Sequence, residues 1–436
     1  MKNYRQDLVK GVLLALPAAI FVVSTANEAV AGSFAVREQS AYSQGASFAG
    51  NATCGASIQG AFWNPSVITC NDAMAISEGT LSLLFLSTEV DTTSTDDLSP
   101  IDPGDIGKLG VVPSSSFSYA YNENIFLGYT VNGPYGLSLE TPVDHNAQAY
   151  FREGEIFSLN ATPIVGYKVN DFLSVAAGVQ IEYFDLKNFS REAALGNSTL
   201  VKLNGDDIGV GFTLGATLRP MEGTEIGIGF RSSVSHSLEG RVTLNGATFA
   251  PISADLDTPE VVTLSLRQRL HDTFTLLGTV EWTNWSRLQN VPIINDSTNA
   301  QLNLGLGPVS FPFSYDDGWF FSLGGEYQYN EKLTLRGGVG WELSPISDAS
   351  RSISLPDDDR LWLSIGATYK KDEKWTFNAA YTFITAFDTT INLNSTNPWH
   401  SVFQGDYHAN VDANVHILSV GFQRKFGGQP MYAMTQ

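Results

Sequence analysis

The strongest constraint on the fold is a regular alternation of turn lengths between segments of period-two hydrophobicity. From Ala73 to Phe426, fourteen segments alternate apolar with polar positions. The connections after even-numbered segments are short turns such as Asn170-Asp171 and His271-Asp272, whereas those after odd-numbered segments are longer. An even strand count with short turns at one end and long loops at the other is typical of bacterial outer-membrane barrels. A soluble β-sandwich has no reason to maintain this asymmetry.

The faces of these segments favour the same architecture. In the last segment, Leu418, Val420 and Phe422 share one side, while the residues between them are small or polar. Lipid outside and a polar lumen inside impose this pattern on a barrel wall. The sequence therefore predicts an all-β fold, a 14-stranded antiparallel transmembrane β-barrel. Its strands are 73–90, 113–121, 125–140, 152–169, 172–187, 201–218, 224–244, 258–270, 273–288, 318–329, 332–342, 361–371, 374–387 and 411–426.

The first 31 residues have the features of an export signal. Lys2, Arg5 and Lys10 precede the apolar run Gly11 to Val23, and Ala29-Val30-Ala31 forms a small-x-small cleavage site. The run is too short to span a bilayer as a helix, which needs about 20 residues. We therefore assign residues 1–31 to a signal peptide and expect the mature chain to reside in the outer membrane of a Gram-negative cell.

Residues 32–72 have neither strand nor helix periodicity. Glycines recur every five residues from Gly45 to Gly60 among many alanines, and the segment ends near the turn Asn64-Pro65-Ser66. Glycine permits close backbone approach and positive φ, so such a segment can fold compactly in a confined space. We predict an N-terminal plug, or hatch, in the lumen of the barrel. The barrel then covers residues 73–426 and a C-terminal tail covers residues 427–436.

Both cysteines of the chain, Cys54 and Cys70, lie in this plug segment. Export to an oxidising compartment favours a disulfide between them, which would tie down the end of the plug. Two separate thiols are the alternative.

The third predicted strand is interrupted by the sequence Asn132-Gly133-Pro134-Tyr135-Gly136. Proline removes a donor from the strand ladder and glycine favours a bend, so a barrel wall holding this sequence needs a kink or a local gap. In a closed barrel such a gap is a candidate side door. A plain β-bulge without a transport role is the alternative.

Composition and motifs exclude several other functions. The net charge of −20 argues against nucleic acid as a partner, because phosphates would repel the chain. The six histidines form no metal-spaced cluster, and no Gly-x-Ser-x-Gly elbow is present. We therefore predict no enzyme activity, no metal and no cofactor. The acidic predicted loops indicate a solvated outer face beside outer-membrane lipid and lipopolysaccharide.

Several motifs together resemble those of the outer-membrane long-chain fatty acid transporter family, which also includes aromatic-hydrocarbon channels. The likeness runs over the whole mature chain. It is carried by Glu38-Gln39-Ser40-Ala41, Trp63-Asn64-Pro65, Asn132 to Leu137, Glu281-Trp282-Thr283-Asn284-Trp285-Ser286, Leu333 to Gly338, and Arg351 to Ser364. One departure is Ser66, where the family usually has alanine in the hatch turn.

The resemblance implies a passive transporter of long-chain fatty acids or related hydrophobic molecules. It implies capture among the extracellular loops, an apolar pocket in the lumen, and lateral release through the kink at Asn132 to Gly136 when the hatch moves. We expect Asn64-Pro65 to pack near Gly133-Pro134. Lys187 and Arg336 are candidate partners for a substrate carboxylate, because they are basic and near the predicted lumen. We expect a monomer. An aromatic-hydrocarbon channel, and a general porin or structural barrel, are the alternatives.

Overall fold

A computed structural model describes residues 33–97, 99–194, 198–305, 307–387, 389–400 and 404–427 of the 436-residue chain. The predicted signal peptide, residues 1–31, lies outside the described residues, as does the predicted tail from residue 428 onward.

The described chain is almost entirely β-structure with a few short helices. The helices are α1 (Ala41–Gln44) and the 3-10 helices Gln59–Phe62, Pro65–Cys70 and Trp285–Arg287. The strands are β1 (Ala75–Thr95), β2 (Gly104–Asp105), β3 (Leu109–Ala120), β4 (Ile125–Asn132), β5 (Gly136–Glu140), β6 (Glu153–Lys168), β7 (Leu173–Ala194), β8 (Ser198–Met221), β9 (Thr224–Arg231), β10 (Ser235–Leu244), β11 (Ala247–Asp257), β12 (Val261–His271), β13 (Phe274–Thr283), β14 (Asn290–Pro292), β15 (Ile294–Asn295), β16 (Ala300–Gln301), β17 (Ser310–Pro312), β18 (Gly318–Gln328), β19 (Leu333–Leu343), β20 (Arg360–Lys370), β21 (Trp375–Ala386), β22 (Thr389–Leu393) and β23 (Tyr407–Phe426).

These segments build a closed antiparallel barrel. In the described chain, fourteen wall strands follow one another: β1, β3, β4 with β5, β6, β7, β8, β9 with β10, β11 with β12, β13, β18, β19, β20, β21 with β22, and β23. The barrel closes where β1 pairs with β23, from Ala75 opposite Phe426 to Thr95 opposite Tyr407. The predicted fourteen-stranded antiparallel barrel is confirmed.

Two predicted loops are instead extensions of the wall. Residues 189–200 belong largely to β7 and β8. Residues 245–257 consist of β11 and the tight turn before it, in which Asn245 and Gly246, both at positive φ, join β10 to β11 as a hairpin. Asn-Gly is a favoured hairpin turn, since both residues accept this backbone conformation. Hydrophobic alternation did not reveal these extensions, because strands outside the bilayer need no apolar face.

The wall presents apolar residues outward and polar residues inward. In β7, Val175, Val179 and Ile181 are exposed, whereas the alternate residues Gln180 and Glu182 are buried. The outward set is the lipid-facing surface expected of a membrane barrel. No helix in the described part of the chain has the length and apolarity that a membrane crossing requires.

Residues 33–72, which we call the N-terminal segment, contact wall strands on all sides. Their polar side chains and amides meet luminal hydroxyls, including Ser364 of β20, Ser265 of β12 and Thr217 of β8. Most of the segment is buried, including polar residues such as Gln44 and Asn64. Hydrogen bonds to the wall therefore satisfy its buried polar groups, while Phe48, Phe62 and Trp63 pack in an apolar cluster with wall residues.

Several wall glycines allow the N-terminal segment to lie directly on the strands. A Cβ atom at Gly229 in β9 would overlap the Trp63 carbonyl oxygen, and one at Gly338 in β19 would overlap Ala46. Glycine at these positions therefore permits contact between backbones that any side chain would separate.

We predict that Gly229→Ala lowers the free energy of unfolding by about 1–3 kcal/mol, because the added methyl group overpacks this contact. Urea unfolding in detergent, followed by tryptophan fluorescence, measures the change. Gly278→Ala in β13 is the matched control, since the nearest atom to its added Cβ is the Ser322 carbonyl oxygen at 3.8 Å. Equal stability of the two variants would contradict the prediction.

Candidate functional site

The third wall strand is broken where the sequence predicts it. Asn132, the last residue of β4, lies opposite Asn160 of β6, and pairing resumes with Gly136 opposite Phe157. Residues 133–135 therefore face only two residues of β6, and Pro134 has no N–H to donate. On the β6 side of the break, Ser158 provides a side-chain partner: its Oγ accepts a hydrogen bond from the Tyr135 amide at 2.8 Å.

The start of the N-terminal segment provides backbone hydrogen-bond partners on the other side of this break. The Val36 amide donates to the Pro134 carbonyl and the Gly136 amide donates to the Phe34 carbonyl, both at 2.8 Å. Ala35 and Tyr135 thus form an antiparallel bridge between these bonds. Residues 34–36 act as a short extra strand that satisfies backbone groups which a barrel wall cannot leave unpaired in lipid.

The side chain of Gln39 forms two further hydrogen bonds at the same break. Its Nε2 donates to the Gly133 carbonyl at 2.7 Å, and its Oε1 accepts from Asn132 Nδ2 at 3.0 Å. Gln39 is fully buried, so these bonds are shielded from water. This role could not be predicted from the sequence, because a glutamine in an aperiodic segment has no recognisable pattern.

The hatch turn lies on a different part of the wall. Asn64 Nδ2 donates to the Ala216 carbonyl at 3.1 Å, and the Ser66 and Thr217 hydroxyls are 2.8 Å apart, which places the turn on β8. Pro65 also packs there, against Gly215. The expected packing of Asn64-Pro65 on Gly133-Pro134 is therefore wrong: the segment that reaches the break is Phe34 to Gln39.

The two cysteines are joined as a disulfide at the turn end of the barrel. The Cα atoms of Cys54 and Cys70 are 5.9 Å apart, within the usual range for a bridge. Arg219 of β8 reaches both sulfur atoms, at 3.1 and 3.4 Å, and pairs with Glu225 at 3.0 Å. The bridge therefore encloses the hatch turn in a ring that is fastened to the wall.

The two basic residues predicted as carboxylate partners already have acidic neighbours. Lys187 pairs with Asp185 and Glu155 at 3.3 and 3.5 Å. It shares a face with the exposed Val179 and Ile181, so it lies outside the barrel and its expected place near the lumen is wrong.

Arg336 is luminal but lies under the N-terminal segment. It stacks over the Tyr42 ring at 4.1 Å, donates to Thr368 at 2.7 Å and lies 3.7 Å from Glu326. These contacts give it a part in holding the N-terminal segment in place.

Aromatic rings fill the lumen beside the break. Phe34 lies edge-on to Trp285, Tyr135 and Phe184, with ring centroids at 4.8, 5.8 and 6.4 Å. The space left next to Pro134 and these rings is a cavity of about 60 Å³. It has room for only a few water molecules, which is too little for a long apolar molecule.

A larger groove opens between the outer extensions of the wall and the loops. Its volume is about 420 Å³, within the range of small-molecule sites, and its walls include Phe151, Phe189, Phe311 and Trp399. Arg191 of β7 also lines it. Among the described residues, no acidic side chain lies within 4 Å of the Arg191 guanidinium. The sequence prediction missed this residue because it assigned residues 189–200 to a loop.

In the ranges that the structure describes, no three histidine, cysteine or acidic side chains come together in a way that could hold a metal ion.

Comparisons with known proteins give a consistent result. Residues 22–426 match the family model described as Outer membrane protein transport protein (OMPP1/FadL/TodX). The chain is similar to the Long-chain fatty acid transport protein of Escherichia coli O6:H1, with 24% identity covering 82% of this chain and 87% of that protein. It is also similar to Outer membrane protein P1 of Haemophilus influenzae, with 23% identity covering 88% and 90%.

Two solved structures share the fold. A Pseudomonas aeruginosa FadL homologue superposes with a TM-score of 0.81 at 20% identity, covering 90% of this chain and all of that one. The P. putida toluene transporter TodX superposes with a TM-score of 0.63 at 16% identity, covering 85% of this chain and 94% of that one.

We predict that Gln39→Leu loosens the N-terminal segment at the break, because it leaves the buried Gly133 carbonyl and Asn132 amide without their partner. Unpaired buried groups cost about 1–3 kcal/mol each, so hydrogen exchange at the Val36 and Gly136 amides should rise at least tenfold. Exchange is measured by mass spectrometry. Gln328→Leu, at an exposed site in β18, is the control. Unchanged exchange in Gln39→Leu would argue against its role.

Proposed function

Because the chain belongs to the Outer membrane protein transport protein family (OMPP1/FadL/TodX), outer-membrane transporters of hydrophobic compounds, we propose that it imports long-chain fatty acids passively. The observation that carries this choice of substrate is Arg191, a half-buried cation without an acidic partner among the described residues, set in an aromatic groove.

The groove matches the two ends of a fatty acid. The Phe311 ring contacts those of Phe189 and Trp399, with centroid distances of 5.5 and 6.3 Å, and the three rings offer an apolar surface for the chain. Arg191 offers a charge-assisted hydrogen bond to the carboxylate. A neutral hydrocarbon would gain from the rings but leave the guanidinium without a partner, so the site favours an apolar molecule that carries an acid.

From the groove, the substrate proceeds inward to the aromatic cluster around Phe34. Its exit is the break at Gly133 to Tyr135, which leads sideways into lipid. An acyl chain gains about 0.8 kcal/mol for each CH₂ removed from water, so release into a water-filled pore would be unfavourable compared with release into the bilayer. An opening in the wall suits this cargo better than an axial pore.

The N-terminal segment is the gate in this proposal. Residues 34–36 and Gln39 hold the break closed, and the cavity beside it is too small for a fatty acid. Substrate that displaces Phe34 also removes the strand formed by residues 34–36, so one movement clears the lumen and uncovers the exit. All parts of this path lie within one chain, so a monomer suffices.

Aromatic hydrocarbons are the second candidate substrates. The observation that favours them is the cluster of Phe34, Tyr135, Phe184 and Trp285 at the break, because aromatic rings prefer the edge-to-face contacts that this cluster offers. Toluene would use this cluster without using Arg191.

We predict that Arg191→Gln weakens the binding of labelled oleate about tenfold and leaves toluene binding unchanged. The loss corresponds to a charge-assisted hydrogen bond at a partly exposed site. Binding is measured with purified protein in detergent. Arg241→Gln is the control, since Arg241 is exposed on β10. Equal oleate affinity in Arg191→Gln and the unmodified protein would exclude this site, and binding of toluene alone would favour the second candidate.

We also predict that a covalent link between the N-terminal segment and the break stops uptake. Ala35 and Tyr135 face one another between two flanking hydrogen bonds, and Cα atoms of such pairs lie about 4.5 Å apart, close enough for a disulfide. Oxidised Ala35→Cys/Tyr135→Cys protein should transport no oleate into proteoliposomes, and reduction should restore transport. The single substitutions and reduced unmodified protein are controls. Full transport by the oxidised double variant would remove gate movement from the mechanism.

A further inference from the structure

Glu38, near the start of the N-terminal segment, is a buried carboxyl group without a side-chain partner among the described residues. Its side chain is 0% exposed, and neither carboxylate oxygen has a hydrogen-bond donor among the described residues. Its own carbonyl accepts from Ser82 Oγ at 3.3 Å, which fixes the backbone against β1. An ionised carboxylate is costly at such a site, because it loses its hydration and the one backbone group that favours its charged form is the amide of Glu38 itself, which does not offset the burial.

The bases nearest to Glu38 are already engaged by other acids. Arg37, the preceding residue, bridges Glu281 at 2.6 Å and Glu342 at 3.3 Å. Arg360 of β20 pairs with Asp357 at 2.5 Å.

Among the charged groups that act most strongly on Glu38 are Arg37, Glu342 from β19 and Arg360 from β20. The buried network around Glu38 therefore contains two arginines and four carboxyl groups, those of Glu38, Glu281, Glu342 and Asp357. Acids exceed bases in this buried region, so the network is neutral only when some of its acids are protonated.

We propose that Glu38 is a proton-linked latch, which is protonated while the N-terminal segment is seated and releases its proton to water when the segment moves. This rests on the proposed movement of the segment but not on the identity of the substrate. Burial raises the pKa of Glu38 to about 7, which places its titration in the physiological range.

The sign of the pH effect follows from this raised pKa. The seated state of the N-terminal segment is favoured most at a pH where Glu38 is protonated both when it is buried and when it is hydrated. That pH lies below the ordinary glutamate pKa of about 4.3. This advantage is lost as pH rises through the pKa of the buried form. Acid therefore holds the N-terminal segment in place and mildly alkaline water loosens it.

A second buried glutamate differs from Glu38 because hydrogen-bond donors surround its carboxylate. Glu78 in β1 accepts from Ser57 Oγ and the Ile58 amide at 2.8 Å each, and from Gln423 Nε2 at 3.2 Å. These donors join the N-terminal segment to the wall. Glu38 has no such donors in the described chain, so anchoring does not explain its presence.

The test is hydrogen exchange of ligand-free protein in detergent, resolved to single amides. The Val36 amide, bonded to Pro134, reports the seated segment, and the Val67 amide, bonded to Asn64 inside the disulfide ring, is the internal reference. Their ratio cancels the chemical effect of pH on exchange. From about pH 5.5 to about pH 7.5 the ratio should rise at least about tenfold in unmodified protein.

Glu38→Gln, which keeps the shape but cannot ionise, should show a constant ratio, and Glu331→Gln in an exposed turn should behave like the unmodified protein. A constant ratio in the unmodified protein, or the same rise in Glu38→Gln, would overturn the proposal. If Glu38→Gln does not fold, the unmodified protein alone decides. Because no substrate is present, failure to bind oleate would count against the proposed function and leave this result intact.

Discussion

The structure depends on how a membrane wall tolerates a gap in its own hydrogen bonding. Lipid offers no partner to a free backbone group, so every break in a barrel strand must be satisfied from inside. Here the partner is another part of the same chain: Val36 and Phe34 complete the bonds that Pro134 and Gly136 cannot make with a neighbouring strand. The broken wall strand and the segment in the lumen therefore complete each other's backbone hydrogen bonding.

This dependence divides the N-terminal segment into two parts with different attachments. Residues 54–70 are closed into a ring by the disulfide, and Asn64 and Arg219 fasten that ring to β8. The part from Phe34 to Gln39 is held at the break by backbone bonds and one glutamine, and by ion pairs of Arg37. Movement of the first residues therefore does not require the ring to leave the wall.

Much of the fold could be predicted from the sequence, because lipid imposes alternation on every strand that crosses it. That constraint weakens outside the bilayer, which is why the sequence predicts loops at the outer parts of β7 and β8 and at β11. Proline and glycine marked the break at residues 133–135 by backbone chemistry alone. Its partners could not be predicted, because the N-terminal segment has no periodicity from which to infer a register. Lys187 and Arg191 illustrate a further limit: composition reveals a cation but not the face it occupies or the acids beside it.

The strength of the seal at the break also bears on which molecules can open it. Two backbone bonds and the two bonds of Gln39 hold it, and at about 1 kcal/mol net for each bond their loss costs roughly 4 kcal/mol. Burying about five CH₂ groups offsets that cost. A long acyl chain contains many more CH₂ groups than this number, whereas a single small ring has barely enough carbon atoms to match it. In the proposed mechanism, a gate of this strength selects for length as well as for apolarity, and the groove at Arg191 selects the same class of molecule through its acid group.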